Sequence, residues 1–191
     1  MRWYLIALIS LFDSLFLQAG LAYNIGSRFK RDNSDSSEND LKTFRQEALA
    51  SHNSYRAQHC APALVLDDDI NQSAQTYAEK LATIGKLVHS TNRVGLGENL
   101  YSVGSSAPLR NLNGTHSAQA WYNEVKSYNF GSPKFSSNTG HFTQVVWKNT
   151  KKFGIGYALT KDRSTAYVVA QYSPPGNYLS QFADNVSPVG C

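Results

Sequence analysis

Gly140-His141-Phe142-Thr143-Gln144-Val145-Val146-Trp147 is the stretch on which the reading of this chain turns. It sets an ionisable imidazole against Phe142, Val145, Val146 and Trp147, an apolar group large enough to require burial. A histidine introduced by a glycine and followed by such side chains belongs where a core meets an opening. Taken alone, it is more often a satisfied core or rim histidine than a ligand.

Working outward toward the C-terminus, Phe153 to Thr160 and Thr165 to Tyr172 read as two strands joined by Lys161-Asp162-Arg163-Ser164, a β-hairpin. Pro174 and Pro175 donate no ladder hydrogen bonds, so the strand stops there, and the remaining residues are expected to wrap over the surface. Working toward the N-terminus, Ala118, Trp121, Val125 and Tyr128 form the stripe of a third helix, with Glu124 three residues from Trp121 on the same face. Ser102 to Thr115 reads as a polar, structureless loop. Before it, Gly97-Glu98-Asn99-Leu100 places a carboxylate between glycine and apolar residues, a setting that pulls it inward. His89 follows a second helix, whose stripe is Ile70, Ala74, Tyr77, Ala78 and Leu81, opened by the acidic run Asp67 to Asp69 and closed by Gly85. A first helix carries Leu41, Phe44, Ala48, His52 and Tyr55 behind an N-cap at Asp40 and ends near His59, before Cys60-Ala61-Pro62. These elements make an α+β protein with three or four helices and a small antiparallel sheet.

At 191 residues the chain suits one domain with extensions. Residues 1–22 pair Arg2 with an apolar run from Trp3 to Leu17 and the small residues Gly20-Leu21-Ala22, which reads as a secretory signal peptide, although Asp13 interrupts the run. Residues 23–40 are rich in Ser, Asn and charge and read as a disordered linker; Arg28-Phe29-Lys30-Arg31 within them is a solvated charge cluster that resembles a dibasic processing site. Residues 41–191 are then the domain. The net charge of +4 is spread out, with no basic run longer than Lys151-Lys152 and no nucleic-acid motif; it suits solubility and attraction to anionic membrane surfaces, not nucleic-acid binding.

The order of Gly97-Glu98-Asn99-Leu100, Trp121-Tyr122-Asn123-Glu124, the Gly140–Trp147 stretch and Val168-Val169-Ala170-Gln171-Tyr172-Ser173-Pro174-Pro175-Gly176-Asn177 resembles the CAP superfamily of cysteine-rich secretory proteins, antigen 5 and pathogenesis-related 1. The resemblance covers about residues 41–186 and implies a three-layer α-β-α sandwich with a tetrad of two histidines and two glutamates around a cleft. The tetrad falls on His89, Glu98, Glu124 and His141. Converging carboxylates must share a proton, pair with imidazolium or bind a cation, so a divalent metal such as zinc is set against a purely structural hydrogen-bond network. In having only Cys60 and Cys191, and in Trp147-Lys148-Asn149-Thr150-Lys151-Lys152, the chain is most similar to the Golgi-associated plant pathogenesis-related branch. That branch is lipidated through an N-terminal Met-Gly, whereas this chain begins Met1-Arg2, so an extracellular location is expected in place of a Golgi-face one.

Cys60 and Cys191 are candidates for one internal disulfide, with an intermolecular bridge and two free thiols as the alternatives. Asn71-Gln72-Ser73 and Asn113-Gly114-Thr115 are glycosylation sequons, the second in an exposed loop and the stronger candidate; Asn185-Val186-Ser187 precedes an unfavourable proline. The resemblance implies a secreted module that binds lipid, sterol or an extracellular receptor, and the sequence leaves its oligomeric state open. A metal-dependent hydrolase using Glu98 or Glu124 as base is the alternative, and no His-Glu-x-x-His helix or Gly-x-Ser-x-Gly elbow supports it.

Overall fold

The computed structural model describes residues 37–191, of which 41–191 form one compact unit. The expected signal peptide, the dibasic cluster and most of the expected linker lie outside the described residues. Helix α1 is already wound at residue 37 and runs to 58, so it begins before Asp40 and includes the last residues assigned to the linker. Ser37, Glu38 and Asp40 are residues that suit a first helical turn. Its buried stripe is Phe44, Ala48, His52 and Arg56, and it stops where Cys60 takes a left-handed φ of 52°.

The remaining elements are β1 (Val65–Leu66), α2 (Asp68–Ile84), β2 (Gly97–Gly104), α3 (Gly114–Tyr122), a 3-10 turn (Asn123–Ser127), α4 (Gly140–Val145), β3 (Lys152–Leu159), β4 (Thr165–Ser173) and α5 (Phe182–Asn185). The four strands lie in the order β1-β3-β4-β2. The β3–β4 hairpin and the β4–β2 pair are antiparallel as expected; β1 joins β3 in parallel, which makes the sheet mixed. Only two residues of β1 pair, so the rest of the β3 edge is covered by side chains of the helices. Asn71 Oδ1 accepts the Ile155 N–H at 3.0 Å, Arg45 Nε donates to Ile155 O at 3.1 Å, and the Gln75 amide bonds both the N–H and the C=O of Tyr157. Asn71 is therefore spent inside the fold and buried, which removes it as a glycan acceptor.

Helix α2 is capped as its sequence implies. Asp67 accepts from Ile70 N–H, and Gly85, at φ 65°, donates to Leu81 O. It can approach the sheet closely because β3 presents glycine beneath it. A Cβ on Gly154 would lie 2.4 Å from Asn71 N, and one on Gly156 2.4 Å from Gln75 Cα. Leu100, Tyr167 and Val169 pack with Ala74, Ala78 and Leu81 on this side of the sheet. Phe153, Ile155, Val168, Ala170 and Tyr172 face the opposite way, into the larger core shared with Phe44, Trp121, Phe142 and Trp147. The result is the expected three-layer α-β-α arrangement.

Three further expectations change. The third helix is α only to Tyr122 and then tightens into the 3-10 turn, so Val125 and Tyr128 do not continue its α-helical stripe. Ser102 to Gly104 belong to β2 and Gly114 and Thr115 to α3, and the intervening loop is tied down: Arg163 donates to Leu109 O and Arg110 O and accepts from Leu109 N–H. The segment after the prolines does not merely cover the surface. Phe182, Asn185 and Val186 are buried, and the Phe182 ring meets Trp147 edge to face at 5.1 Å.

Candidate functional site

The central stretch is buried as its composition demands, with Phe142, Val145, Val146 and Trp147 inaccessible. What fixes its course is Arg56, a fully buried guanidinium that donates to Pro62 O, Val145 O, Trp147 O and Thr150 O at 2.7–3.0 Å. Burial lowers its pKa to about 10, so it remains charged near neutrality and gathers four carbonyls that no helix or strand would satisfy. Gly140 and His141 are held from three more directions. Asn177 Nδ2 donates to Gly140 O, Asn99 Nδ2 donates to His141 O, and Glu124 Oε2 accepts the backbone N–H groups of His141 and Phe142 at 3.0 and 3.1 Å.

Glu124 also accepts from His141 Nδ1 at 2.7 Å. The carboxylate thereby fixes the tautomer of the neutral ring, which has its hydrogen on Nδ1 and its lone pair on Nε2. The same construction recurs at the other pair: His89 Nδ1 donates to Glu98 Oε1 at 2.8 Å, Ser90 N–H donates to the same oxygen, and Gln171 Nε2 donates to Oε2. The Glu98 side chain is wholly buried. Burial pushes its pKa up, but the hydrogen bonds from His89, Ser90 and Gln171 outweigh this and hold it below the usual carboxylate value. The His89 side chain is about half exposed, at 51%, and that of His141 a third, at 33%.

The four residues are thus brought together two by two. Alternation along β2 puts Glu98 with Leu100 and Gln171 on the α2 side, and Asn99 with Tyr101 on the side of α4. Neither carboxylate relies on the other for a proton or a counter-charge. Among the described residues no group of three His, Cys, Asp or Glu side chains is placed to hold a metal ion. The donor chemistry of glutamate-anchored imidazoles suits zinc, but the number of protein ligands gathered in one place does not.

Cys60 and Cys191 are joined, their Cα atoms 6.1 Å apart, closing the end of α1 onto the last residue. Asn113 is exposed and caps α3 by accepting from Thr115 N–H at 2.7 Å. Of the large apolar residues near the site, Tyr128 is buried and Phe130 half-buried against the core, while Phe135, Tyr178 and Leu179 are exposed. Phe135 lies over Gly140, and Tyr178 and Leu179 follow the Asn177 that bonds it. Sequence reasoning did not assign roles to Arg56, Asn99, Gln171 or Asn177. All are uncharged or remote in sequence from what they hold, and only Asn99, Gln171 and Asn177 sat within recognisable motifs.

The chain belongs to the Cysteine-rich secretory protein (CAP) family, whose pattern it matches over residues 49–172. It is 44% identical over 151 residues to Golgi-associated plant pathogenesis-related protein 1 of Homo sapiens, covering 77% of this chain and 94% of that protein. It is 39% identical to Secreted protein RBT4 of Candida albicans over 71% of this chain and 36% of that longer protein. Among solved structures, BmVAL-1 superposes with a TM-score of 0.66 at 25% identity, covering 78% of this chain and 83% of that one. NaASP2, crystallised with Zn2+, superposes at 0.58 and 25% identity over 80% and 89%.

Proposed function

We propose that this chain is a secreted binding protein that takes an amphipathic lipid or sterol. The observation that carries this reading is the division of labour in the two dyads. Every oxygen of Glu98 and Glu124 already accepts hydrogen bonds that orient a histidine and the backbone, which leaves the imidazole Nε2 atoms to meet a ligand. Beside His141, the exposed Phe135, Tyr178 and Leu179 offer an apolar rim. A hydroxyl or carboxyl head group hydrogen-bonded at Nε2, with its apolar body on that rim, uses both features. Secretion is supported by relatives named as secreted proteins and by the apolar leader at residues 1–22.

A divalent cation, zinc first, is a second ligand class. It is supported by the zinc-containing NaASP2 structure and by the Nδ1-anchored imidazoles; His89 or His141 would each offer one Nε2 ligand, with Glu98 and Glu124 fixing their orientation and solvent completing the coordination. The hydrolase alternative asks a glutamate to act as base, and Glu98 is poorly suited because its bonds make it a weaker base than an ordinary carboxylate.

The test is direct binding of cholesterol and palmitate to the purified protein. Phe135→Ser with Leu179→Ser is expected to weaken binding at least about tenfold, a loss of about 1.4 kcal/mol. Binding no stronger than that of an unrelated basic protein of equal charge overturns the reading. Metal-dependent turnover lost in Glu98→Gln would establish the hydrolase in its place. Calorimetry with zinc, comparing the natural chain with the His89→Ala, His141→Ala double variant, decides the metal.

A further inference from the structure

On the α2 side of the sheet lies a groove of about 510 Å³ that includes none of the four tetrad residues. Helix α2 lines it with Gln72, Ser73, Thr76 and Tyr77, with Asp69 at one end and Lys80 at the other. Ser90 to Asn92 form the opposing wall and Gln171 part of the floor. Gln171 is only 1% exposed; its Nε2 is committed to Glu98 Oε2, and its Oε1 is buried without a hydrogen-bond partner among the described residues. A buried amide oxygen left unpaired costs about 1–3 kcal/mol, so a turn of the Gln171 side chain that brought this oxygen to a donor in the groove would be favoured.

We infer that this groove is a binding site for a neutral polyhydroxylated ligand, a short oligosaccharide. Its lining is hydroxyls and side-chain amides, which both donate and accept, as vicinal diols require. The single cation and single anion at its ends cancel, which disfavours phosphate or sulfate ligands, and no aliphatic side chain lines it to receive a lipid tail. The lining residues recur once per turn of α2, about 5.4 Å and close to the length of one pyranose unit, and the row from Asp69 to Lys80 spans about 16 Å, enough for about three rings. Thr76 and Ser73 are exposed on the helix, so the row can be altered without touching the core.

The inference is independent of the lipid reading, since the exposed rim beside His141 plays no part in it. The experiment follows the amide spectrum of the 15N-labelled protein as chitotriose, maltotriose, cellotriose and mannotriose are added in turn. At least one is expected to shift the Gln171 side-chain amide and the backbone amides of 72–80 and 90–92 at about 10 mM or below. Filling the groove with Thr76→Trp, or independently with Ser73→Tyr, is expected to raise the Kd at least about tenfold while leaving the remaining spectrum unchanged. No shift with any of the four sugars, which leaves the groove to water, overturns the inference. So does an equal shift in both filled variants, or a response of the same amides to a Gly-Ser-Gly-Ser peptide without one to any sugar.

Discussion

Acidification should destabilise this protein through His52, and the structure gives the size of the effect. The imidazole is fully buried between α1 and the sheet, 2.7 Å from Ala48 O through Nδ1 and 2.9 Å from the Tyr172 hydroxyl through Nε2. Ala48 O is an acceptor, so Nδ1 carries the hydrogen and Nε2 accepts from Tyr172, whose oxygen accepts in turn from Asn99 Nδ2. A proton added to Nε2 would face that hydroxyl as a second donor and bring a charge near Arg56. Burial first, and then Arg56, against the opposing Ala48 bond, lower the pKa from 6.5 to about 4. The folded state therefore binds this proton less readily than the unfolded chain. Its contribution is fully present above pH 6.5 and is lost as pH falls toward 4, by about 2 kcal/mol at pH 5 and about 3 kcal/mol at pH 4. Urea unfolding of the natural chain and of His52→Leu, at pH 7 and pH 4, isolates the residue from carboxylates that titrate in both proteins. At pH 7 the variant should be less stable, because Tyr172 loses its acceptor; by pH 4 the gap should narrow by about 3 kcal/mol. A gap that is the same at both pH values refutes the argument.

Other expectations follow from single contacts. Arg56→Met should lower stability by about 4 kcal/mol or more, because it takes a donor from four buried carbonyls, of which Trp147 O keeps the Thr150 N–H, and chemical denaturation will show whether it does. Gly154→Ala should cost about 2 kcal/mol or more, since its methyl meets the α2 backbone, whereas Gly95→Ala, with nothing within 4 Å, should show only the strain of a positive φ; their melting temperatures compare them directly. Replacing Cys60 and Cys191 by serine opens a loop of 131 residues and should cost about 5 kcal/mol in the chain-entropy picture, measurable as a lower denaturation midpoint.

Much of this molecule was legible in its residues. The α2 caps at Asp67 and Gly85, the burial of Phe142 to Trp147 and the β3–β4 hairpin follow from local rules of periodicity, capping and turn chemistry, and the ordered motifs pointed to the family. Local rules could not show that residues 37–40 are already helical, because polar residues there tolerate both helix and coil. They also could not foresee that α2 side chains would complete the β3 edge, that Arg56 would gather the carbonyls around Trp147, or that Phe182 would turn inward. Each is a contact between positions distant in the chain; the first two are decided by which backbone groups remain unpaired once the layers meet, and the third by the apolar surface of Trp147 left to be covered. The pairing of the tetrad was settled the same way. The sequence supplied two histidines and two glutamates, and the alternation of side chains across β2 assigned Glu98 to one face of the sheet and Asn99, which holds the His141 carbonyl, to the other.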